Sequence, residues 1–231
     1  MASEPDPADT CWTVIRAAAG GDSAARSTFA RSYAGPMRAY LQRRWQSQAL
    51  LLEVEDAVQE AFVEAFKPAG ALDRANPERG DFRSLLYGVV RNVARRFEER
   101  AAKANAQGSG KSVYLDDLPH QAQALSQVFD RAWARSLLRE AVLRHQQESE
   151  EGNTDARRRF RVMRMRHDEG LAIREIAQAL GVLDVASVHN DYRQARRAFG
   201  AHLRGVVGRH TGTEGSAIDR ECRRLTELLG S

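Results

Sequence analysis

Apolar residues recur along this chain at the three-to-four spacing of helices, and no stretch alternates with the period of two expected of a half-buried strand. In PMRAYLQRRW, Met37, Tyr40, Leu41 and Trp45 share a face, and Pro36 suits a helix start. A second helix is predicted over 51–66, with Val54, Val58, Ala61, Phe62 and Ala65 on one side and Glu53, Asp56, Glu60 and Glu64 on the other. After the turn-rich KPAGALDRANPERGD, a long pattern runs over 82–102, with Phe82, Leu85, Leu86, Val89, Val93 and Phe97 as its core stripe. Trp133, Leu137, Leu138, Ala141 and Val142 mark another helix, which is expected to end in the acidic loop ESEEGNTD. Helical segments are further predicted over 157–167, 172–180 and 187–204, and the amphipathic AIDRECRRLTELLG closes the chain. No internal repeat is visible.

These elements predict an all-α protein with two small helical domains joined by a flexible linker, the second domain containing a helix-turn-helix. The expected boundaries are 1–102, a linker over 103–127, a second domain over 128–208, and a tail with a short amphipathic helix over 209–231. Within the linker, GSGKS has the look of a phosphate-binding loop. A P-loop needs a glycine five positions before Gly110, where the chain has Asn105, and it must leave a buried strand and open a helix. Neither context is present, so the stretch reads as a Gly/Ser connector.

Composition narrows the class without deciding it. A chain of 231 residues suits one or two domains, and its longest apolar runs fall well short of the roughly 20 residues of a membrane span. The opening MASEPDPADT is acidic and polar, unlike a secretory signal. Cys11 and Cys222 lie near opposite ends with no metal-ligand spacing, which points to a reduced, cytoplasmic protein without metal or disulfide framework. The net charge of +4 is unevenly spread: residues 1–100 carry 14 basic and 14 acidic side chains, whereas 157–209 carry 12 and 5, a local +7. Such an excess reads as a polyanion-binding surface.

Three surfaces could use that organisation. The acidic side of the 51–66 helix does not mix signs as an ordinary solvated face does, so a basic partner explains it better than helix stability. The segment NPERGDFRSLLYGVVRNVARRFEER leaves Arg83, Arg91, Asn92, Arg95 and Arg96 on its more exposed sides, and arginine beside aromatic rings suits unpaired nucleic acid. In GLAIREIAQALGVLDVASVHNDYRQARRAFGAHL, Ile173, Ile176, Ala177 and Leu180 form one face and Gly181 ends the helix. Val188, Tyr192, Ala195 and Phe199 then resume the period. This is a helix-turn-helix pattern, whose second helix would present His189, Asn190, Arg193, Gln194 and Arg197. Asn or Gln can pair with adenine, and Arg with guanine or phosphate.

In this order the surfaces resemble RNA polymerase sigma factors of the extracytoplasmic-function (ECF) group of the sigma-70 family. VEDAVQEAFVEAF is similar to the family's core-binding helix, and the arginine-aromatic segment is similar to its Arg-Gly-x-Phe-Arg-x-x-Leu stretch with an Arg-Asn pair. The helix-turn-helix resembles the family's C-terminal DNA-reading module. The resemblance implies a non-enzymatic initiation factor, without cofactor, whose partners are core RNA polymerase (β′ clamp and β flap) and promoter DNA, both double- and single-stranded. A regulator such as an anti-sigma factor is a further possible partner. It implies that Asp56, Gln59, Glu60 and Phe62 dock on the basic coiled coil of the β′ clamp. It also implies that Arg83, Asn92, Arg95 and Arg96 lie by the melted element, and that His189, Asn190, Arg193 and Arg197 approach the upstream duplex. The acidic YLDDL suits a linker threaded through the enzyme or an ordinary solvated loop.

Six residues separate Gly181 from Val188, one more than the family's usual turn, which leaves the register of the reading helix open. The tail is expected to pack on the second domain or to meet a regulator. The alternative function is a stand-alone helix-turn-helix repressor or activator, which would account for the C-terminal half only.

Overall fold

A computed structural model describes residues 11–46, 49–72, 82–105, 119–211 and 215–230. GSGKS, YLDDL, the NPERGD turn and residues 106–118 of the expected linker lie outside the described residues. Within them, regular structure is entirely helical: α1 (Cys11–Ala19), α2 (Ser23–Arg44), a 3-10 turn (Ala49–Glu53), α3 (Val54–Phe66), α4 (Phe82–Asn105), α5 (Pro119–Glu151), α6 (Thr154–His167), α7 (Ile173–Ala179), α8 (Val185–Thr211) and α9 (Ser216–Gly230). The all-α expectation holds.

Several local expectations give way to tertiary burial. Pro36 does not start a helix; it sits inside α2, which begins at Ser23 with the Asp22 carboxylate accepting from the Ala25 N–H at 2.7 Å. Phe29, Tyr33, Pro36, Met37, Tyr40 and Leu41 are all buried along this helix, and that stripe outweighs the amide hydrogen bond a proline cannot make. The acidic ESEE stretch is not a loop either but the last turn of α5, since Glu is a good helix former and buried Ser149 bonds back to the His145 carbonyl at 2.6 Å. Asn153 then caps α6 by accepting from the Ala156 N–H at 3.0 Å. Residues 119–127, expected in the linker, are helical.

The chain divides into two compact units, 1–136 with 208–231, and 137–207. In the first, aromatic rings gather around Phe29, with Tyr33 at 4.6 Å, Phe66 at 5.1 Å and Phe82 at 5.6 Å between centroids. Trp133 stacks on Tyr33 at 5.2 Å, and the Tyr33 hydroxyl meets His210 Nδ1 at 2.8 Å. The tail therefore belongs to the first unit, together with residues 128–136 of the expected second domain. Its helix α9 buries Leu225 and brings Arg224 to 4.0 Å from Asp130. Behind α4, Arg44 is 2 % exposed and donates to both oxygens of Glu98 at 2.6 and 2.7 Å, while Trp45 Nε1 donates to Glu98 at 2.9 Å.

In the second unit, Val162 and Met165 of α6, Ile176 and Ala177 of α7, and Val188 of α8 form one buried cluster. Phe160, Met163 and Ala195 form another, with Phe199 against it. Between α7 and α8 the chain turns at Gly181, whose φ of +65° favours a residue without a Cβ. The Val182 N–H reaches back to the Ala177 carbonyl at 2.9 Å. Glu175 accepts from the Ala172 N–H at 2.6 Å to open α7, and Asp184 accepts from Ala186 and Ser187 at 3.0 and 3.2 Å to open α8. Asp184 thus starts α8 at Val185, two residues before the predicted start.

Candidate nucleic-acid and protein interfaces

Two of the four carboxylates on the predicted acidic side, Glu60 and Glu64, are neutralised within the chain, as is Glu55 on another side of α3. Glu55 accepts from Arg38 at 2.5 and 2.7 Å, Glu60 from Arg100 at 2.7 Å, and Glu64 from Arg96 at 3.0 Å, with Lys67 2.8 Å from Glu64. Hydrogen bonds from Arg96, then from Lys67, pull the Glu64 carboxyl down to about 2. The expectation that the acidic side stands unrelieved is therefore corrected for Glu60 and Glu64: α4 supplies the opposite charge, and Glu60 is half-buried beneath it. What the 3-10 turn and α3 leave outward is different. Leu52 is 90 % exposed and Val63 64 % exposed, with exposed Asp56 and Gln59 between them. Within α3 the spacings of three and four residues set Asp56, Gln59 and Val63 on one strip, and Leu52 lies in the 3-10 turn that leads into it. Among the described residues Asp56 has no ion pair. Phe62 turns the other way, half-buried, with its ring 6.2 Å from Phe66 and 6.0 Å from Phe29. Leu52 and Val63 escaped the sequence reading because they are apolar yet lie off the core stripe.

On α4, Leu86, Val90, Val93 and Phe97 are buried, and the opposite side carries Arg91, Asn92 and Arg95 together. Asn92 is exposed and Arg95 half-buried. The other two candidates lie on the flanks, held by carboxylates: Arg96 by Glu64 and, at 3.8 Å, Glu60, and Arg83 by Asp130 of α5. Tyr87 and Phe82 are engaged by rings, Tyr87 with Tyr40 and Phe129, and Phe82 with Phe29. Phe97 is buried beside Trp45, and Arg100 lies over its ring at 4.2 Å. Aromatic groups on α4 thus serve the core, and its outward face is cationic and polar.

On α8 the four predicted residues come together. His189, Asn190, Arg193 and Arg197 are all exposed, and with Tyr192 and Arg196 they line one open groove. Arg193 donates to Asn190 Oδ1 at 2.7 Å, which pre-orients two groups able to meet a base edge. Gln194, also expected outward, is half-buried. Arg196 was missed; its guanidinium lies 5.8 Å from the centre of the Tyr192 ring, whose hydroxyl is 3.2 Å from His167 Nε2. The groove's flank is thereby stiffened from α6. Its helical partner face is closed by Val188 and Ala195, both buried.

Among the described residues no group of three or more His, Cys, Asp or Glu side chains could hold a metal ion, and no helix is long and apolar enough to cross a membrane. Compared with protein families, residues 29–104 match the model of Sigma-70 region 2. No curated protein matches the chain.

Proposed function

We propose that this chain, an RNA polymerase sigma-70 family factor by virtue of its region 2 match over residues 29–104, is an initiation factor of the ECF group that joins core polymerase and directs it to promoters. It binds and orients, and carries out no covalent chemistry. The docking face is the strip of Leu52, Asp56, Gln59 and Val63: two apolar groups desolvate against the partner while Asp56 meets its basic side chains. Glu60 and Phe62 brace the strip from behind. Asn92 and Arg95, with Arg83 and Arg96 at the flanks, follow the opened strand, and His189, Asn190, Arg193 and Arg197 read the upstream duplex.

The labour divides for an energetic reason. Extruding a base costs a few kcal/mol, so a single grip on the nucleic acid does not open a promoter unaided. Joining two grips through the polymerase makes the second contact intramolecular and raises its effective concentration.

One observation carries the reading: the matched domain exposes an apolar strip around an acidic residue that has no ion pair among the described residues. A stand-alone regulator would have use for the α8 groove but none for that strip. The test is co-purification of Asp56→Arg with core polymerase. Association is expected to be lost while the helical circular dichroism stays unchanged, and wild-type binding by this variant would remove the docking reading. Sequence-specific duplex binding without polymerase would favour the stand-alone regulator.

A further inference from the structure

Asp191 is the one acidic residue among the basic and polar side chains of α8 between Val188 and Arg197, and it is 3 % exposed. It points into the second unit, where Arg158 of α6 approaches at 2.9 Å through Nε and donates through Nη2 at 3.2 Å, with Arg159 Nε at 3.7 Å. Both arginines are only partly exposed. None of the duplex-facing roles assigned above uses this carboxylate.

Its direction on the helix is informative. At roughly 100° per residue, Asp191 points about 160° away from both His189 and Arg193, and about 100° from Asn190. A bond that fixes Asp191 inward therefore fixes those three outward. The apolar contacts of α8 on the same side, Val188 and Ala195 with partly buried Val185, Tyr192 and Phe199, are not directional and do not by themselves forbid a small rotation about the helix axis. A buried carboxylate does resist it, because turning away from Arg158 and Arg159 would leave a desolvated charge unpaired. Buried polar groups are best attested in just this use, as setters of register.

We propose that Asp191 is a positioning residue, which sets the base-facing register of α8 by clamping its inner side to Arg158 and Arg159. The inference rests on the reading of α8 as the duplex-reading helix. A second consequence is electrostatic: the clamp keeps two arginines of a strongly basic segment away from phosphates, which limits sequence-independent binding.

The test uses the full chain assembled with core polymerase. Duplexes are selected by the wild-type holoenzyme from a pool randomised over the upstream element, and affinities for the selected and a scrambled duplex are compared. Asp191→Asn is expected to lower the ratio of selected to scrambled affinity by about tenfold or more, the scale of a lost base contact, while scrambled binding holds or rises. Re-selection with the variant should return a displaced or blurred motif, which a merely structural lesion would not produce. The double variant Arg158→Gln/Arg159→Gln opens the clamp from partly exposed positions and decides the matter if Asp191→Asn does not fold. An unchanged ratio and motif in folded variants, or an equal loss on both duplexes, would overturn the proposal. If the wild-type holoenzyme selects no upstream motif at all, the parent reading of α8 is what fails.

Discussion

Removing the Glu98 carboxylate is expected to destabilise the first unit more than any other single polar change on α4. Arg44 lies fully inside the unit and receives its countercharge from Glu98 through two hydrogen bonds of 2.6 and 2.7 Å. Trp45 adds a third at 2.9 Å, and Tyr40 accepts from Arg44 at 3.0 Å. Taking away one partner of such a buried pair leaves a desolvated charge behind, at a cost of about 3–5 kcal/mol. In Glu98→Gln an oxygen acceptor of the same shape remains, so the loss should be nearer that of one charge-assisted hydrogen bond, about 1.5–3 kcal/mol.

With a urea slope of about 2 kcal/mol per molar, Glu98→Ala should move the unfolding midpoint down by roughly 1.5–2.5 M, read from helical circular dichroism with tryptophan fluorescence as a second probe. Replacing both partners, Arg44→Met with Glu98→Leu, should recover most of the loss, since an apolar pair leaves no orphaned charge. A Glu98→Ala midpoint within about 0.3 M of wild type, at unchanged slope, would refute the argument. The consequence reaches function because Glu98 lies on the helix that carries Asn92 and Arg95. The knot ties that helix to α2.

Three further outcomes follow from the same contacts. Glu64 titrates near 2 in the folded chain against an ordinary 4.5, held down first by Arg96 and then by Lys67. The unfolded chain therefore takes up this proton more readily, so the contribution is complete above about pH 4.5 and fades as pH falls toward 2. Acid unfolding curves of wild type and Glu64→Gln should converge over that window, and curves that stay parallel would count against the pairing. Asp130→Ala removes the carboxylate beside Arg83 and is expected to tighten holoenzyme binding to a single-stranded promoter segment by about two- to fivefold, the worth of a modest ion pair. Unchanged or weaker binding in fluorescence anisotropy would remove Arg83 from the strand-facing set. Arg193→Ala should weaken binding to the upstream duplex by about 1–3 kcal/mol and relax preference at one position. No change in a competition assay would mean that α8 presents a different edge.

What the sequence made legible, and what it hid, divides along a physical line. Helical period sorts residues into inward and outward with local information alone, which is why the His189, Asn190, Arg193 and Arg197 face of α8 was readable beside Val188 and Ala195. Charge pairing is not local. Glu60 and Glu64 looked like a free acidic ridge because their quenching cations, Arg96 and Arg100, come from another helix more than thirty residues away. Asp191 drew no notice in the sequence for the same reason, its partners lying on α6. Pro36 obeyed a local rule until the burial of its neighbours overrode it, and α9 announced an apolar side without naming the unit that covers it. Charged positions on a helix with a visible core stripe therefore remain ambiguous until a second helix is placed beside them. Where that helix brings opposite charge, as α4 does to α3, the residues left for a partner are those it does not reach. These are Leu52 of the preceding 3-10 turn and Asp56, Gln59 and Val63 of α3, of which the pattern alone had singled out only Asp56.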